Sequence, residues 1–174
     1  MAQISLWLVA GAMLCSSPAG SLEEDIRWLD IRNNKEVLIH LYHLQRTPPY
    51  LCLDDRNNFK FPWNLETILK MKKTQRTCFR HVILTQILYV FATRRSFAEW
   101  DHSRLSELIS SLHQSLGDLE DEAKTEGNNL ACPKLGGLIW KYFQGVYKYL
   151  KEKKYSSCGW EVVLVEMMRR LGKM

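Results

Sequence analysis

Leu135, Leu138, Ile139, Tyr142, Phe143, Val146, Tyr149 and Leu150 follow one another at steps of three and one along the chain. That spacing gathers all eight on one stripe of a 3.6-residue helix, whereas a strand would scatter them over both its faces. Pro133 stands just before the run, where a first helical residue tolerates the missing N–H. One amphipathic helix of this length cannot bury its own stripe, so the rest of the chain must supply partners.

Four other segments supply them. Over about 23–45, Ile26, Leu29, Val37, Leu38, Leu41 and Leu44 keep a helical period until Pro48 and Pro49 stop it. A second run carries Cys78, Val82, Ile83, Ile87, Leu88 and Phe91, and "ATRRS" breaks it. A third, over about 97–121, carries Trp100, Leu105, Leu108, Leu112, Leu116 and Leu119, with Asp101 and Ser103 near its start as caps. The last, about 158–172, presents Trp160, Val163, Met167, Met168 and Leu171. No β-alternation competes. Between the first two helices lies the irregular "YLCLDDRNNFKFPWN", too long for a tight turn. The expected fold is all-α: five helices with one long crossover between the first two.

Residues 1–22 carry no charged side chain, and "ISLWLVAGAMLC" is too short to span a bilayer but fits a signal-peptide core. Residues 1–21 are read as a signal peptide and 22–174 as one helical domain, secreted and extracellular. Cys15 leaves with the leader, so Cys52, Cys78, Cys132 and Cys158 remain. In an oxidising compartment these read as two disulfides with three possible connectivities.

The chain's formal charge of +5 is compatible with anionic partners, though keeping the protein soluble is the simpler account. Lys70, Lys72, Lys73, Arg76 and Arg80 form a basic strip that would suit heparin-like glycans; an ordinary solvated face is the simpler account. Nothing accompanies it that would read nucleic acid. His40 and His43 lack a third metal ligand in register, and the acidic "GDLEDEA" lacks calcium-loop spacing. No nucleophile elbow, zinc-protease motif or phosphate-cradling loop appears, so neither an enzyme nor a cofactor is expected.

Three blocks then point to one family. "KYFQGVYKYLKEKKYSSCGWEVVLVEMMR" (141–169) resembles the C-terminal signature of type I interferons, "LCLDDRNNFKFPW" (51–63) their crossover loop, and "FAEWDHSRLSELISSLHQSLGDLE" (97–120) their third long helix. Gly159 replaces the usual alanine. The subtype is left open, with a delta-like member as one reading. The resemblance implies a secreted helical cytokine whose opposite faces bind the two chains of the type I interferon receptor. Kinases on that receptor would then drive JAK–STAT antiviral and antiproliferative signalling. Another helical-bundle cytokine, or a basic secreted protein binding proteoglycans or membrane surfaces, is the alternative.

The resemblance also implies a Cys52–Cys158 bond between crossover loop and last helix. The family's other bond is missing: neither Glu24 nor Glu122, near its two ends, is a cysteine. Cys78 and Cys132 then pair with each other or stay free. Short loops make successive helices alternate in direction, which places the starts of the second and fourth at one pole and favours pairing. Carried across by match, the face for the high-affinity receptor chain holds Leu53, Arg56, Met168 and Arg169. Leu164 joins them where many members have arginine. The face for the low-affinity chain holds Arg104, Ile109, His113 and Trp140, all of which depart from common family residues.

Overall fold

The computed structural model describes residues 34–174, all of them helix, turn or irregular chain with no strand. The expected signal peptide and the beginning of the first helix lie outside the described residues.

Helix α1 covers 34–44, and the chain leaves it before Pro48 and Pro49. A 3-10 segment, Pro49–Asp55, and a short α2, Leu65–Leu69, follow. The Asn64 side chain caps α2 by accepting from the Thr67 N–H at 2.8 Å. Then come α3 (Lys73–Phe91), α4 (Arg94–Glu99), α5 (His102–Thr125), α6 (Pro133–Glu152) and α7 (Ser157–Leu171). The five expected helices correspond to α1, α3, α5, α6 and α7.

Two boundaries differ from the sequence expectation. The segment expected as one helix over 97–121 is broken: Trp100 is extended (φ −110°, ψ 159°), which turns its indole into the core, and Asp101 starts α5 anew by accepting from the Arg104 N–H. The crossover is not irregular either. Its 3-10 segment and α2 escaped detection because neither is long enough to display a period.

α3 lies at the centre, packed against α5 on one side and α6 on the other. Its start meets the end of α5, where Lys73 reaches Glu122 at 3.6 Å and Glu126 as well, so the two helices are antiparallel. Phe79, Leu84, Ile87 and Phe91 of α3 are fully buried or nearly so. Trp160 of α7 completes the core, with its ring 4.9 Å from Trp100 and 6.4 Å from Phe91. Truncating a tryptophan in such a position costs about 3–5 kcal/mol.

Candidate functional site

The crossover is laid against α6 and α7 by five kinds of interaction. Cys52 and Cys158 are joined at an S–S distance of 2.03 Å. The Asp55 carboxylate pairs with Lys153 Nζ at 2.8 Å, and the Asp55 carbonyl accepts from the Tyr149 hydroxyl at 2.7 Å. Phe59 packs edge-on to Tyr149 at 5.1 Å and Phe61 to Tyr142 at 5.0 Å. The Arg170 guanidinium lies over the Phe61 ring at 4.5 Å. The second bond, Cys78–Cys132, ties the first turns of α3 to the residue before α6.

Between the crossover and α7 opens a cavity of about 360 Å³, with Arg56, Asn57, Phe59, Glu161, Glu166 and Arg169 among its walls. The fold thus brings Arg56 of the crossover and Arg169 of α7 to one concavity. Two buried carboxylates stand behind them. Glu166 accepts from the Tyr142 hydroxyl at 2.7 Å and pairs with Arg170 Nη2 at 2.7 Å, with Arg169 Nη1 at 3.9 Å. Burial, then the Glu166 charge, pushes the Tyr142 phenol far above its ordinary value, keeping it a donor. Glu161 accepts from Gln45 Nε2 at 2.9 Å; burial raises its carboxyl pKa, and the hydrogen bonds from Gln45 and the Thr47 backbone oppose that. These carboxylates were missed in the sequence because the partners that hold them, Gln45 and Tyr142, lie 116 and 24 residues away.

Of the other residues expected on this face, Leu53 is 46% exposed and Met168 is half-buried against the core. Leu164 requires a correction. It has no exposed area and belongs to the core, so it offers no surface to a partner docking on this fold. Its spacing showed as much, because 160, 164, 167 and 171 form one helical stripe.

The expected second face does not lie together as one patch. Arg104 and His113 are nine residues apart on α5, a rotation of about 900°, which sets them on opposite flanks of its core stripe. Arg104 turns toward α1 and donates to the His43 carbonyl at 3.1 Å. Ile109 is half-buried against the core and His113 is exposed on the flank nearer α3, where His81 meets Glu120. Trp140 stands 57% exposed on α6. Arg104 and His113 therefore lie on opposite flanks of α5.

The basic strip also changes. Lys70 pairs with Glu66, Lys73 with Glu122 and Glu126, and Arg80 is buried with Asn34 Oδ1 at 3.5 Å. Of the five residues only Lys73 meets the acidic end of α5, while Lys70 pairs beside α2 and Arg80 is buried, so the five do not form one continuous exposed track. His40 faces Glu107 at 3.8 Å, and no group of three metal-ligating side chains occurs among the described residues. No helix among them is long and apolar enough to cross a membrane.

Comparison with known proteins agrees with the all-helical fold. The family profile for the interferon alpha/beta domain matches residues 29–174. Interferon omega-1 of Homo sapiens is 37% identical over 175 aligned residues, covering 98% of this chain and 90% of the relative. Interferon tau of Giraffa camelopardalis is 41% identical over 137, covering 75% and 69%. Interferon alpha-3 of Equus caballus is 35% identical over 170, covering 95% and 92%. The similarity is spread over three subtypes rather than concentrated in one. An all-helical fold stapled by two disulfides and matched along nearly its whole length identifies the chain as a member of the interferon alpha/beta family, that is, a type I interferon.

Proposed function

We propose that the protein is a secreted cytokine that engages both chains of the type I interferon receptor and thereby starts JAK–STAT antiviral and antiproliferative signalling. Secretion is supported by the apolar run at residues 4–15 and by two disulfides, which need an oxidising compartment to form. The high-affinity chain binds the crossover–α7 face through Leu53, Arg56, Met168 and Arg169. The low-affinity chain binds the face built on α3, α5 and α6 through Ile109, His113 and Trp140, with Arg104 at most a peripheral contact.

One observation carries the reading. Arg56 and Arg169, 113 positions apart in the chain, line the same cavity, backed by aromatic and aliphatic surface. Arginines at the centre of such a concavity are the residue type that dominates interface energy, since each forks onto carboxylates or carbonyls.

Arg56→Ala tests it. Affinity for the high-affinity receptor ectodomain falls by about 2 kcal/mol or more, about thirtyfold, with a parallel loss in a receptor-dependent reporter assay. The thermal midpoint stays at the wild-type value because Arg56 is exposed. Unchanged affinity would reject this face.

A further inference from the structure

The outer side of α6 faces away from α3, α7 and the crossover, and it carries a regular charge pattern. Lys134, Lys141 and Lys148 recur every seven residues, so each stands about 10 Å further along the helix and only about 20° around it. All three are exposed; Lys148 has Glu152 at 3.8 Å, and the other two make no ion pair among the described residues. Glu152 is the single carboxylate of α6, and exposed Lys151 and Lys154 extend the positive charge past the helix end.

Gly137 and Gly145 fall between the lysines on the same stripe. A Cβ at either would meet nothing within 4 Å, so packing does not require glycine there, and each costs about 1 kcal/mol against alanine in a helix. Their effect is a track on which the helix surface is bare between successive ammonium groups. Leu138 and Trp140 flank it, 48% and 57% exposed.

We propose that this ridge binds a linear sulfated polysaccharide of the heparin type. An extended polyanion presents charge at regular intervals along one dimension, as the ridge presents cations. Lysines, as compact point charges, meet sulfates without needing the planar match that carboxylates offer arginine. The bare glycine positions let the polymer lie close to the helix. A bilayer surface fits less well, because the ridge itself carries no continuous apolar face to insert. The ridge differs from the α3 strip in that, among the described residues, no acidic helix lies across it.

The test is direct binding of the full protein to an immobilised heparin oligosaccharide at several salt concentrations, with no receptor present. Lys134→Gln/Lys141→Gln/Lys148→Gln is expected to weaken binding about tenfold or more near 0.15 M salt and to reduce the slope of log affinity against log salt by about 2–3. Lys70→Gln/Lys72→Gln/Arg76→Gln removes equal charge elsewhere and is expected to change affinity by less than about twofold. Circular dichroism confirms that both variants fold. Equal losses in the two variants would reduce the effect to net charge and overturn the ridge. Undiminished binding to desulfated heparin, or equal binding to phosphatidylserine vesicles, would overturn the sulfated-polymer assignment.

Discussion

The Tyr149 hydroxyl donates to the Asp55 carbonyl at 2.7 Å, joining α6 to the crossover across 94 residues of sequence. The bond satisfies a backbone acceptor at the end of the 3-10 segment, where no ladder partner exists. Tyr149→Phe is expected to cost about 1 kcal/mol in denaturant unfolding. Burial, then the Asp55 charge, raises the phenol to about 12. A raised acid is stabilised in its neutral form, so this contribution is complete below the ordinary phenol value near 10 and is lost as pH rises through about 12. The stability difference between wild type and Tyr149→Phe therefore shrinks across that alkaline window, measured by urea titration at stepped pH.

The two disulfides separate stability from recognition. They close loops of 106 and 54 residues, and the chain-entropy treatment assigns them about 4.8 and about 4.2 kcal/mol. Cys52→Ser/Cys158→Ser and Cys78→Ser/Cys132→Ser should thus lose similar stability. Receptor affinity, measured well below either midpoint, is expected to fall about tenfold or more in the first variant, whose crossover is released, and to change little in the second.

Glu161 is a buried carboxylate whose pKa is raised by desolvation, so its proton stabilises the native state. Its contribution is present below the unfolded value near 4.5 and is lost as pH rises through the higher folded value. Glu161→Gln keeps an acceptor for Gln45 without the charge. Its thermal midpoint is expected to exceed that of wild type at pH 7 and to match it near pH 4, as calorimetry at the two pH values would read.

Gly159 is less minor a departure than its position suggests. An added Cβ would lie 2.9 Å from Lys153 Cβ and 3.2 Å from the Oγ of Ser156, the residue that caps α7. The turn cannot relax easily, because Lys154 and Tyr155 are already held at φ 52° and 55°. Restoring the family's usual alanine is expected to destabilise this protein by about 1 kcal/mol despite alanine's better helix propensity. A gain in stability on chemical denaturation would contradict that.

The long helices were legible because each buries a stripe, and a stripe leaves a period in the sequence. Leu164 was misread although it obeys that period, since alignment to a family arginine drew attention from Trp160 and Leu171 on its own stripe. Arg104 and His113 show the same thing in reverse: they point half a turn apart around the α5 axis whatever the family does with either position. The crossover was harder to read. Phe59, Trp63 and Ile68 are buried there, but they sit in pieces of chain too short to repeat, and their partners are far away in sequence. Charge was hardest. The acidic and basic stretches looked like two separate surfaces until antiparallel α3 and α5 set Lys73 against Glu122 and Glu126.

The cysteines occur in the order 52, 78, 132, 158, and their bonds nest one within the other rather than interlacing. Nested loops can close in either order without threading chain through a ring already formed. The inner loop is the shorter, and closing it from the unfolded chain costs about 0.6 kcal/mol less entropy. Oxidation of the inner pair first fixes α3, α5 and α6 together while the crossover and α7 remain free to find each other. In that order the surface with which this cytokine would meet its receptor is locked last, on a scaffold already built.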